Sequence, residues 1–190
     1  MSKRKHREIT PSVSFVDGNL LTYECDVLVQ QCNCITINSL GLSKSITQRF
    51  GVDPYAHRKP SRNPRIADEA TSDVPGTISF HPIENQEHRH VANLYAQYTP
   101  GSLAKNTSIY HNAREVRGIQ ETPELREAWF KQCLKSLAEH LDESEHYRIA
   151  FPHGIGCGLA GGNWAHYRAM IVAWAKKHPS FCVSVVKLNS

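Results

Sequence analysis

The chain contains no apolar run approaching the roughly 18 residues that a membrane-spanning helix needs. Its basic start is not followed by the apolar core of a secretory signal, and its first residues do not read as an amphipathic mitochondrial leader. The expectation is a protein that neither crosses nor sits on a membrane and works in the cytoplasm or nucleus. No glycine-lysine-serine/threonine triplet follows its glycines, which excludes a Walker loop. No Asp or Glu occurs after Glu145. That removes the acidic partner a Rossmann unit places about 20 positions beyond its glycines. Cys32-x-Cys34 has no second pair downstream, and His88-x-His90 lies in a polar turn without further ligands, so no metal centre is expected. Internal repeats and low-complexity blocks are lacking as well.

What is present describes one ordinary α/β domain. The 190 residues suffice for a hydrophobic core. The net charge of +4 suits an anionic ligand without demanding nucleic acid. Residues 1–10 read as a basic flexible tail, whose MSKRKHRE start also fits a nuclear-localisation or nucleic-acid patch, and residues 11–190 as the domain. The six cysteines sit mostly in apolar runs and are expected as free, buried thiols.

The pattern predicts strands over Val13 to Val16, Asp26 to Gln31, Thr77 to Phe80, Val91 to Gln97, Tyr147 to Phe151 and Cys182 to Leu188. It predicts a helix over Leu40 to Phe50, with Leu42, Ile46 and Phe50 on one face. A second helix begins at Thr122-Pro123-Glu124, a cap, a first-position proline and a dipole-matched acid, with Leu125, Trp129, Cys133, Leu137 and Leu141 inward. A third is capped by Asn163 and turns Trp164, Tyr167, Ile171 and Trp174 inward. Residues 54–75 and 98–120 read as long polar loops. Strands alternating with helices give a layered α/β domain.

Two segments carry chemistry. Phe151 to Trp164 reads FPHGIGCGLAGGNW, a strand running through five glycines into a helix. Glycine allows positive φ and close approach of a ligand, and open N–H groups beside a helix start favour an anion. Val29 to Ile46 brings a buried strand to Asn33, at the carboxyl edge where α/β sheets bind ligands, and then to Gly41 at a second helix start.

Together these segments resemble a macrodomain, from about residue 13 to 188. The resemblance is carried by Val16-Asp17-Gly18-Asn19-Leu20, Gln31-Cys32-Asn33, Gly41 before a serine-containing helix, and Ile155-Gly156-Cys157-Gly158-Leu159. The nearest subgroups are ADP-ribose 1″-phosphate phosphatases and terminal ADP-ribose hydrolases, and similar proteins occur in phages and large viruses. The resemblance implies a three-layer α/β/α fold around a mixed central sheet, no cofactor, and ADP-ribose or an ADP-ribosylated molecule as partner of a monomer. Asn19 and Leu20 would meet adenine and Asn33 the distal ribose. Gly41 and Leu42 would border the first loop, and Gly154, Ile155, Gly156, Cys157, Gly158 and Leu159 would wrap the diphosphate. The chain departs from the family pattern in having Asn19 for an aspartate, one glycine in the first loop, and an extra residue before Ile155. Ala160 follows Gly-Cys-Gly-Leu, and Leu94 to Tyr98 holds no lysine, which argues against lysyl-adduct chemistry.

Two functions follow. A hydrolase would cleave a 1″-phosphate or a glycosidic ester with water as nucleophile. Asn33 would orient the ribose or the water, His153 would act as acid or base, and Lys44 would neutralise a terminal phosphate, with Asn38 a further polar candidate. A reader would bind ADP-ribosylated protein or nucleic acid without turnover, helped by the arginine-rich loop and the basic tail. A nucleic-acid-binding protein without a nucleotide pocket has the least support, since no recognition helix or stacking platform is evident.

Overall fold

A computed structural model describes residues 13–86, 89–105 and 108–189. The expected tail, residues 1–10, and His88 lie outside these. In chain order the elements are β1 (Val13–Asp17), β2 (Val27–Asn33), α1 (Leu42–Phe50), β3 (Ile78–Pro82), β4 (His90–Gln97), α2 (Ser108–Val116), α3 (Pro123–His140), β5 (Tyr147–Pro152), α4 (Trp164–Lys177) and β6 (Phe181–Lys187).

One sheet runs in the order β1-β6-β5-β2-β4-β3. β3 is antiparallel to β4 and every other neighbour pair is parallel, so the sheet is mixed. Alternation along β2 sorts the core into two layers. Val27 and Val29 pack with Phe130 and Leu137 of α3 and Tyr167 and Ile171 of α4. Leu28 points the other way, onto Ile46 and Phe50 of α1. This is the expected three-layer α/β/α arrangement. After β2 the chain crosses toward β4, and after β5 it crosses toward β6. The sheet therefore changes winding direction between β5 and β2, and a crevice opens beyond their carboxyl ends.

Helix starts follow the sequence. Thr122 Oγ1 accepts from Leu125 N at 3.2 Å, and Asn163 Oδ1 accepts from Ala165 N at 3.0 Å. The inner face of α3 differs from expectation. Its buried residues are Arg126, Phe130, Cys133, Leu134, Leu137 and Ala138, while Leu125 is 38% exposed. A strict every-fourth-residue line drifts about 40° per step around a helix of 3.6 residues per turn. Leu125 and Leu141 thus cannot both face one core. Segment 98–120 also differs, since it holds a short 3-10 turn (Leu103–Lys105) and all of α2. Among the described side chains of α2, Ile109, Tyr110 and Ala113 pack inward, against a cluster containing Cys34, Ile35 and Tyr98, too sparse a set to read as a period. Segment 54–75 is irregular as expected, with one 3-10 turn (Glu69–Thr71) whose Thr71 N donates to Asp68 Oδ1 at 2.8 Å.

Candidate functional site

The crevice at the winding change is a cleft of about 710 Å³. Its walls are the start of α1 (Gly41, Leu42), the glycine loop from Gly154 to Ala160, and the 100–102 turn. Its floor includes Gln31 and Asn33 of β2 and Gln97 of β4.

Gly156 shows why the loop is rich in glycine. It sits at φ 73°, and a Cβ there would stand 2.5 Å from Tyr167 Cε1 and 2.7 Å from Gln31 Oε1. No side chain fits without moving one of them. The loop is folded on itself by Cys157 N donating to Gly154 O at 2.8 Å and Gly162 N donating to Gly156 O at 3.0 Å. Among the described residues, the amides of Gly156, Gly158 and Leu159 make no hydrogen bond within the chain. Opposite them, Gly41 caps α1 at φ 57° with no side-chain cap, which leaves the first-turn amides of Leu42 and Ser43 without intrahelical acceptors. Two sets of N–H donors thus border one cleft. Among the described residues, no Lys, Arg, Asp or Glu lines it. An anion there would be met by backbone dipoles rather than by a counter-charge.

Asn33 lines the floor, but its amide serves the chain. Its Oδ1 accepts from Ile35 N at 3.0 Å and Thr36 N at 2.8 Å, and its Nδ2 donates to Tyr55 OH at 3.0 Å. It forms the turn that carries β2 out of the sheet. Burial holds the Tyr55 phenol well above its ordinary pKa, so it stays neutral. His153 lines the rim, its ring exposed and tilted on Trp164 at 4.7 Å, while its backbone N donates to Val186 O at 2.8 Å. Asn38, Gly154, Ile155, Gly158 and Leu159 also line the cleft.

Asn19, Leu20 and Lys44 are not among the lining residues. Asn19 is exposed, and its Oδ1 accepts from Leu21 N at 2.9 Å. Leu20 is buried in the core layer of α1, and Lys44 lies on that helix's exposed face.

Cys157 is half-buried in the cleft wall, and its thiol donates to Ile155 O at 3.2 Å. Burial, with a smaller push from the Glu127 charge, raises its pKa to about 11. The thiolate is the reactive form. Iodoacetamide labelling at Cys157, followed by peptide mass spectrometry, is therefore expected to be slow at pH 7. It should accelerate about tenfold per unit up to pH 10; a plateau near pH 8 would contradict this.

Sequence reasoning missed the groups that hold the walls. Arg58 belongs to the segment assigned to an anionic partner, yet its side chain is wholly buried. It donates to Asp73, to the backbone oxygens of Asn33 and Thr36, and lies 4.0 Å from the Tyr55 ring centroid. Glu121 and Arg126 form a second buried ion pair, at 2.8 Å, beneath the 98–102 turn. One sequence carries no signal for either pair, because both depend on which loops meet in space.

Searches against protein-family profiles and against curated proteins found no match. Solved structures do match. The macrodomain of Mycobacterium tuberculosis DarG superposes with TM-score 0.62 at 16% identity, covering 94% of this chain and 99% of that one. A variant of the Oceanobacillus iheyensis macrodomain, solved with ADP-ribose, gives TM-score 0.62 at 16% identity over 98% of this chain and 90% of that one. The Trypanosoma brucei macrodomain in complex with ADP-ribose gives TM-score 0.57 at 10% identity, covering 94% of this chain and 64% of that one. These likenesses run over nearly the whole chain and concern its fold: the chain has the macrodomain fold.

Proposed function

We propose that the cleft binds ADP-ribose, free or as the terminal group of a conjugate. The observation that carries this reading is the pair of backbone donor sets, at Gly156–Leu159 and at the start of α1, facing one cleft that no lysine, arginine or carboxylate lines among the described residues. A diphosphate needs several N–H donors at a spacing that helix starts and glycine turns supply. The distal ribose lies toward Asn33 and Asn38. The adenine lies toward Asn19 and Leu20, which follow β1 two strands along the same sheet edge. Two neighbours of the same fold were solved with ADP-ribose, which supports this choice of nucleotide.

Hydrolysis of an ADP-ribose derivative, as a 1″-phosphate phosphatase or mono-ADP-ribosyl hydrolase, is the finer reading. It rests on His153, whose imidazole lines the rim within the loop, a group of the type that serves as general acid or base. Retention without turnover is the second reading. It is favoured by the committed amide of Asn33 and by the lack, among the described residues, of any carboxylate on the cleft wall.

Calorimetric titration with ADP-ribose tests the binding, with a micromolar dissociation constant expected and no heat at millimolar ligand counting against it. Incubation with ADP-ribose 1″-phosphate and with an ADP-ribosylated protein then separates the two readings. A hydrolase releases phosphate or ADP-ribose, and His153→Ala loses that release while still binding; a reader leaves both bonds intact.

A further inference from the structure

We infer that Arg126 is a positioning residue of the cleft, which it does not itself line: it sets the spacing between the 98–102 turn and the glycine loop. The inference rests on the ADP-ribose reading for its binding consequence and on geometry alone for the rest. Arg126 sits in the first turns of α3 and is 4% exposed. Its guanidinium spends every edge on the two walls. Nε donates to Glu121 Oε1 at 2.8 Å and Nη2 to Thr99 O at 3.1 Å. Nη1 donates both to Gly101 O at 2.8 Å, on one wall, and to Ala160 O at 3.0 Å, on the other.

Glu121 completes the device. It is wholly buried and accepts from Tyr98 N at 2.7 Å, from Thr99 N at 3.1 Å and from Thr99 Oγ1 at 2.6 Å. The floor joins the same network, since Gln97 Nε2 donates to Thr99 O at 3.1 Å and Gln31 Nε2 to Gln97 Oε1 at 2.8 Å. The two walls touch where Gly161 meets Ser102, for a Cβ on Gly161 would stand 2.7 Å from Ser102 Cβ. A desolvated ion pair need not stabilise a fold more than apolar packing would. Here the remaining donors and acceptors are used on the two loops, on backbone atoms and the Thr99 hydroxyl, and that use fixes their spacing. Backbone donors serve an anion only when held where its oxygens will be, which makes the spacing a determinant of affinity.

The test uses Arg126→Lys in the full chain. Lysine keeps a positive charge beside Glu121, but its compact ammonium cannot present a planar fork to a carboxylate and two carbonyls at once. Leu137→Ala, buried in the last turn of the same helix, far from Arg126, serves as the destabilised control. Circular dichroism confirms folding, calorimetry reads ADP-ribose affinity, and amide hydrogen exchange reads Gly161 and Gly162. The expected result is an affinity at least tenfold lower in Arg126→Lys, with faster exchange at those two amides. Leu137→Ala should lose thermal stability and keep both. Wild-type affinity and exchange in Arg126→Lys would overturn the inference, as would an equal loss of affinity in Leu137→Ala. If Arg126→Lys does not fold, Glu121→Gln is read in its place, with the same two outcomes. If wild type does not bind ADP-ribose, the functional reading fails and the exchange comparison alone decides the positioning role.

Discussion

Gly156→Val is expected to weaken ADP-ribose binding at least a hundredfold and to destabilise the fold by about 3 kcal/mol. Two costs add. A β-branched residue at φ 73° occupies a region that L-residues avoid. Its Cβ also enters the space of Tyr167 and Gln31, at 2.5 and 2.7 Å. Tyr167 is packed against Phe130, with ring centroids 4.8 Å apart, and cannot retreat. The loop must move instead, and its only free direction is toward the cleft. The amides of Gly156, Gly158 and Leu159 move with it, and a displacement of about 1 Å is enough to cost two orders of magnitude at a site built on position. Calorimetry with ADP-ribose and urea unfolding measure the two effects separately. Retained affinity with the full stability loss would show that the diphosphate does not lie on this loop. Gly118, with φ 66° and no atom within 4 Å of a built Cβ, serves as the comparison. There valine should cost backbone strain alone, with ADP-ribose affinity unchanged.

Arg58→Ala is expected to cost about 3–5 kcal/mol, the largest stability loss of any single substitution considered. The guanidinium is wholly buried, and truncation strands three acceptors at once: the Asp73 carboxylate, Asn33 O and Thr36 O. It also removes the cation from the Tyr55 ring. Of the other basic residues on segment 54–75, His57 stands 3.3 Å from Asp73 Oδ1 at the exposed side, and Lys59, Arg62 and Arg65 are exposed, so none fills the buried place beside Asn33 O and Thr36 O. Urea denaturation gives the magnitude. Because the stranded carbonyls flank the Asn33 turn, the variant's residual folded fraction should also bind ADP-ribose less tightly. A loss under about 1 kcal/mol would mean that water replaces the guanidinium in a site more open than it stands here.

These two residues mark where sequence reasoning succeeds and where it stops. Gly156 is legible because its requirement is local: a strand, a tight reversal and a helix follow one another, and only glycine tolerates the dihedral. The caps at Thr122 and Asn163, and the alternation of β2, are local in the same sense. Arg58 looked like a solvated charge available to a polyanion. Its true partners come from Asn33, Thr36 and Asp73, up to 25 positions away, and no spacing rule joins them. Arg126 failed for a related reason. A charged residue inside an otherwise apolar helix face is assigned outward, and the pattern was rotated to put Leu125 inside. The helix α2 escapes the pattern because its inward contacts among the described side chains, Ile109, Tyr110 and Ala113, are too few to make a period. Asn33 is the instructive intermediate: its place at the strand end was readable, while the use of its amide on Ile35, Thr36 and Tyr55 was not.

The sheet order has a consequence for how the site comes into being on a growing chain. β1 pairs with β6 alone, Val13 lying against Val183, so the first strand described has no neighbour until the last one is made. The cleft waits on the same event. His153, at the entrance of the glycine loop, is anchored by Val186 O, and Gly18, just before the Asn19 turn, by Lys187 O. A nascent chain that ends before Phe181 has already made β5, the glycine loop and α4 but lacks the strand that ties both to the sheet edge. The cradle is therefore tied to the sheet edge only once β6 has been made, through pairing of the first and last strands described, a slow class of closure. Truncated translation products should carry the cradle's sequence without its shape.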